Sequence, residues 1–99
     1  MQKQTKVSPG EKEWRLFEVR LNKRPQRYIK LMPEKLKQGM RKCFEKLEEE
    51  PFLIVEPLHG ALKGKWKTRV GYFRVIMEIN HDLKLIKIIF IGPRGDIYK

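Results

Sequence analysis

The sequence predicts a single α+β domain: an N-terminal strand, a two-helix hairpin, then an antiparallel three-stranded meander, with the helices packed on one face of the sheet. Three observations carry this. Residues 63–79, KGKWKTRVGYFRVIMEI, alternate apolar and polar side chains on both sides of Gly71-Tyr72, a two-residue link with glycine first, as tight hairpins prefer. Leu36, Met40, Cys43, Phe44 and Leu47 recur at helical spacing. Leu83 to Ile91 then supplies a third apolar strand.

Taken in order, residues 1–13 are polar and contain Ser8-Pro9-Gly10, so they are expected to be a loose lead-in to one domain over residues 14–99. Trp14 to Leu21 reads as a strand, with Phe17, Val19 and Leu21 on one side. Asn22 to Pro25 opens a short helix, where proline suits the first turn. Tyr28, Leu31 and Met32 form its apolar side, and Pro33 stops it because the residue before a proline leaves helical geometry. Glu34 to Glu50 is the long helix. Within it, Gly39 either weakens the helix or admits a close neighbour. Pro51 ends it, and Phe52 to Gly60 reads as a loop.

In the hairpin, pairing on the Gly71-Tyr72 turn sets Val70 against Phe73, Arg69 against Arg74, Lys67 against Ile76 and Trp66 against Met77. Trp66, Thr68, Val70, Phe73, Val75, Met77 and Ile79 then share a core face, while Lys65, Lys67, Arg69 and Arg74 share the other. Like charges directly opposed on a sheet repel, so Arg69 against Arg74 points to an anion, such as phosphate, between them. With the next turn at His81-Asp82, Ile86, Ile88 and Phe90 join the core face. Lys87, Ile89 and Ile91 join the basic one. Gly92-Pro93 should break the last strand.

Charge narrows the function. The 99 residues carry 23 Lys and Arg against 12 Asp and Glu, a formal net of +11, which favours polyanionic partners. The charge is also uneven: Glu45, Glu48, Glu49, Glu50 and Glu56 cluster together, whereas the stretch from Lys63 onward is strongly basic. No apolar run approaches a membrane span and the N-terminus lacks a signal peptide's apolar segment, so a cytoplasmic protein without membrane contact is expected. Cys43 has no second cysteine to pair with and lies on the apolar helix stripe. His59 and His81 fall in loops without partners at ligand spacing, so no metal and no cofactor is expected. No glycine-rich strand-to-helix loop supports nucleotide binding, and no Ser or Cys nucleophile has a histidine partner.

What remains is a cationic set: Lys67, Arg69 and Arg74 on the hairpin, Arg94 beyond the last strand, and Tyr98. Such a set suits a phosphodiester, because fixed cations stabilise the extra charge of a pentacoordinate phosphorane, and a tyrosine ring can stack a base. Lys63, Lys65 and Lys87 are candidate RNA-backbone contacts around it. A basic strand face that only binds phosphate fits the same residues.

The segments LKGKWKTRVGYFRVIMEI and IIFIGPRGDIYK resemble the RelE/ParE superfamily of toxin–antitoxin proteins, specifically the RelE-type mRNA interferases. The likeness rests on the leucine-glycine-aromatic-basic hairpin entry, the Gly-Tyr-Phe-Arg turn and the Gly-x-Arg…Tyr ending. It implies a ribosome-dependent endoribonuclease that cuts mRNA in the A site by attack of the 2′-hydroxyl, without metal, and so halts translation. By the same resemblance Lys67 and Arg69 fall on the family's paired lysines, Arg74 on its hairpin arginine, and Arg94 and Tyr98 on its C-terminal pair. Lys67 or Tyr98 would then help deprotonate the 2′-hydroxyl, Arg69, Arg74 and Arg94 would clamp the phosphate, and Tyr98 would orient the base. Arg69 stands where the family carries a lysine, which removes one candidate base. The implied partners are the ribosome, mRNA and a cognate acidic RelB-like antitoxin, forming a toxin–antitoxin hetero-oligomer. Two readings compete: a ParE-like, gyrase-directed toxin on the same fold, and a non-catalytic basic RNA- or ribosome-binding protein.

Overall fold

The computed structural model describes residues 16–93. The predicted lead-in, Trp14, Arg94 and Tyr98 lie outside the described residues. The order is β1 (Glu18–Leu21), α1 (Lys23–Lys30), α2 (Glu34–Glu49), β2 (Glu56–Pro57), β3 (Trp66–Val70), β4 (Phe73–Asn80) and β5 (Leu85–Pro93). The strands form one sheet in the order β1-β5-β4-β3-β2. β1 runs parallel to β5, and the other pairings are antiparallel.

The hairpin register is the expected one, with Arg69 opposite Arg74 and Lys67 opposite Ile76. Gly71 takes a φ of 58°, a region that glycine enters without a Cβ penalty. Both helices pack on the face that carries Val75, Met77, Ile86 and Ile88, and Met40, Cys43 and Leu47 of α2 close the core from above. α2 comes close to β3 at Gly39, where an added Cβ would lie 3.2 Å from Val70 Cγ1. The Phe17 N–H donates to the Glu48 carbonyl at 2.8 Å, tying the entry of β1 to an otherwise unfilled carbonyl at the end of α2.

Five expectations are corrected. First, the pairing of β4 with β5 shifts at Ile76/Met77: Met77 faces Ile88, but Ile76 faces Phe90, leaving Ile89 as the extra residue of a bulge. Side-chain parity flips beyond it. Ile91, expected on the basic face, is buried in the core, and Phe90, expected in the core, is 39% exposed on the open face. Second, β5 does not break at Gly92-Pro93 but pairs with Phe73 and Arg74 through those residues. Pro93 is tolerated because β1 ends its pairing at Ile88, which leaves this part of β5 on an edge.

Third, the stretch read as a loop contains β2, whose two residues pair with Trp66 and Lys67. Fourth, the β4–β5 turn takes in Leu83 and Lys84, so Leu83 is exposed rather than part of a strand. The Asn80 Oδ1 accepts from the Leu83 N–H at 3.0 Å and fixes that turn. Leu31 also faces outward, at 83% exposure, so the apolar side of α1 is narrower than predicted. Among the described residues, no helix is long and apolar enough to cross a membrane.

Candidate functional site

Strand periodicity places Lys67 and Arg69 of β3 and Arg74 of β4 on the sheet face away from the helices. They line one recess of about 330 Å³, together with Ile54, Glu56 and Thr68. Lys67 and Arg74 are partly buried, whereas Arg69 is exposed. The recess wall is held by Thr68, whose Oγ1 donates to the Ile54 carbonyl at 2.8 Å. That bond fixes the chain after α2 against the edge of β3 and brings β2 alongside Lys67.

β2 also delivers the residue that pattern reading missed. Glu56 Oε1 lies 3.8 Å from Lys67 Nζ, and the glutamate is three-quarters exposed. An exposed carboxylate at this distance neutralises part of the cationic set and is easily displaced by a stronger anion. Its signal in the sequence was weak, because a two-residue strand has no periodicity to detect.

The other predicted members separate. Lys65 Nζ pairs with Glu78 Oε2 at 3.3 Å, and Lys87 stands opposite Glu78 on β5. Lys63 follows the turn at Gly60–Leu62 and is exposed. None of these three lines the recess of Lys67 and Arg74. Pro93 pairs with Phe73, the neighbour of Arg74, so the described chain ends beside the arginine row.

Across β5 from that row lies a different depression, a groove of about 460 Å³ between α1 and β5. Tyr28, Leu31, Ile89 and Phe90 supply its apolar lining, with Arg24 and Arg27 beside them. The Phe90 ring leans over Gly92: a Cβ there would come within 2.7 Å of the ring. Ile76, flanked in register by Lys67 and Phe90, is thereby buried on the otherwise open face.

Elsewhere the chemistry is structural. His81 packs against Phe17 and Phe52, with ring centroids 5.9 Å away in each case. Among the described residues, no group of three His, Cys, Asp or Glu side chains could hold a metal ion. Burial pushes the Cys43 thiol up to about 11, only partly countered by nearby Lys46, so it stays protonated and unreactive at neutral pH.

No family model matches the chain. It is 30% identical over 70 residues to the toxin RelG of Mycobacterium tuberculosis, covering 71% of this chain and 80% of that protein. The toxin–antitoxin complex RelBE2 from the same organism contains a similar structure, with a TM-score of 0.73 and 22% identity over 80% of this chain and 99% of that one. The archaeal RelE–RelB complex from Pyrococcus horikoshii matches with a TM-score of 0.68 and 26% identity, covering 82% and 98% of the two chains.

Proposed function

Since this chain belongs to the RelE-type toxins of toxin–antitoxin systems, we propose that it is a ribosome-dependent endoribonuclease that cuts mRNA in the A site and halts translation. The observation that carries the reading is the convergence of Lys67, Arg69 and Arg74 on one recess of the open sheet face. Three cations there favour a dianionic phosphorane over a monoanionic diester, and stabilisation that grows towards the transition state is what accelerates a reaction.

In this mechanism the scissile phosphate displaces Glu56 from Lys67. The 2′-hydroxyl gives up its proton to Lys67 or Tyr98 and its oxygen attacks the adjacent phosphorus. The bond to the 5′-oxygen breaks, that oxygen takes up a proton, returned by the group that accepted it or drawn from water, and a 2′,3′-cyclic phosphate and a 5′-hydroxyl result. Arg69, Arg74 and Arg94 hold the equatorial oxygens, their charge being permanent. Tyr98 stacks on the base and so fixes the sugar for in-line attack. The site is reached in the cytoplasm, where the ribosome supplies the alignment that a site without a strong general base lacks.

An acidic antitoxin is the partner that fits the α1–β5 groove, because an amphipathic helix can bury apolar side chains against Leu31 and Phe90 while its carboxylates meet Arg24 and Arg27. The neighbours solved as complexes with RelB antitoxins support that reading.

Toeprinting of translating ribosomes tests the function. The native protein is expected to cut within the A-site codon, and Arg74→Ala or Tyr98→Ala to cut far more slowly. Gyrase inhibition without cleavage would instead select the ParE-like reading, and salt-sensitive RNA binding with no product the non-catalytic one.

A further inference from the structure

Beside the recess of Lys67 and Arg74 lies a smaller one of about 180 Å³. Gly39, Cys43 and Val70 supply its small and apolar lining, and Lys42, Lys46 and Arg69 its exposed members. The two recesses share Ile54, Thr68 and Arg69, so they meet around the edge of β3. That edge is open because β2 pairs only with Trp66 and Lys67. The close approach of α2 to β3 at Gly39 brings the two α2 lysines near Arg69. Lys42 and Lys46 are four residues apart and so project from the same side of the helix.

Charge pairing separates this cluster from several other cations, although exposed lysines such as Lys23 and Lys30 are equally without an ion pair among the described residues. Arg20, Arg41, Lys65 and Lys67 each have a carboxylate within 4 Å. Among the described residues, no ion pair takes up Lys42, Lys46 or Arg69. Among the described residues no acid lines the smaller recess, although α2 carries four glutamates. Three unneutralised cations around one depression repel each other until an anion enters.

We propose that Lys42, Lys46 and Arg69 form a second phosphate subsite, which holds an RNA backbone phosphate beside the recess of Lys67 and Arg74. The inference rests on the ribonuclease reading and extends it: Arg69 is the shared post, and the α2 lysines fix the direction in which the strand leaves the site. The chemistry recognised is a phosphodiester, from either the substrate strand or ribosomal RNA.

The test compares Lys42→Ala/Lys46→Ala with Lys23→Ala/Lys30→Ala, which removes the same charge from exposed positions of α1. Fluorescence anisotropy with a short single-stranded RNA is followed across a salt series, and A-site cleavage is followed on programmed ribosomes. The α2 variant is expected to bind at least about threefold more weakly than the α1 variant. Its log–log salt slope should be shallower by about 0.7, the increment for each phosphate that a protein neutralises on a single strand.

A deficit in both assays assigns the phosphate to the substrate strand, and a deficit confined to ribosomes assigns it to ribosomal RNA. Equal behaviour of the two variants in both assays overturns the proposal. The binding assay needs no cleavage. A native protein that never cuts RNA, yet binds it in a manner dependent on the α2 lysines, would therefore sink the ribonuclease reading and leave the subsite standing.

Discussion

The recess on β3 and β4 and the groove between α1 and β5 lie on neighbouring strands of one sheet, yet they differ in composition and in what they can hold. The recess is lined by three cations and one carboxylate. The groove is larger and mostly apolar, with two arginines beside it. The bulge at Ile89 makes much of the difference. Without the parity flip, Ile91 would face the open side and the Phe90 ring would be driven into the core. With it, the open face changes from charged to aromatic within one strand's width. On the proposed reading, a phosphate site and a peptide-binding site thus lie side by side without one diluting the other.

The two regions should respond to different substitutions. Arg74→Ala should have the largest effect, slowing A-site cleavage by about 10²–10³, while leaving antitoxin affinity nearly intact in a calorimetric titration. Equal loss of both would mean that the two depressions act as one site. Leu31→Asp should do the reverse. Placed at an exposed position of the groove, it should weaken antitoxin binding by roughly 2 kcal/mol, as removal of an interface anchor does, with toeprint cleavage unchanged.

Thr68→Val should remove the bond to the Ile54 carbonyl and leave that oxygen without its donor, costing about 1–3 kcal/mol in urea denaturation. The recess should loosen with it, and the groove should not.

Cys43 tests whether the floor of the smaller recess is dry. The folded thiol titrates near 11, above its ordinary value of about 8.5, so the native state holds the proton over a pH range in which the unfolded chain has lost it. Its contribution is therefore intact below about pH 8.5 and is lost as pH rises towards 11, at up to about 1.4 kcal/mol per pH unit. Cys43→Ala should flatten this alkaline loss, and the native thiol should react slowly with Ellman's reagent at pH 8. The smallest effect is expected for Glu56→Gln. Removing its ion pair with Lys67, worth about 0–1 kcal/mol on so exposed a glutamate, should tighten RNA binding by a few-fold at most in an anisotropy titration.

Much of this was legible in the sequence because it follows from period. The hairpin register, the sorting of Lys67, Arg69 and Arg74 to one face and the α2 stripe all depend on regular alternation about a recognisable turn. What was misread lay where period fails. One extra residue at Ile89 inverts the faces of everything after it and leaves no mark in local composition. β2 is too short to alternate, so Glu56 looked like a loop acid, and its place beside Lys67 depends on the Thr68–Ile54 bond between residues 14 apart in the chain. Leu31 lies past the end of α1, where helical phase no longer says which way a side chain points.

The brevity of β2 has one more outcome. From Thr68 to Val70 the sheet simply stops, and such a rim invites a strand from another molecule to add on. Arg69 occupies the middle of that rim, flanked by the lysines of α2, and its charge repels a like copy of the same chain. On the proposed reading, the residues that attract nucleic acid therefore also guard the border of the sheet against edge-to-edge growth into fibres.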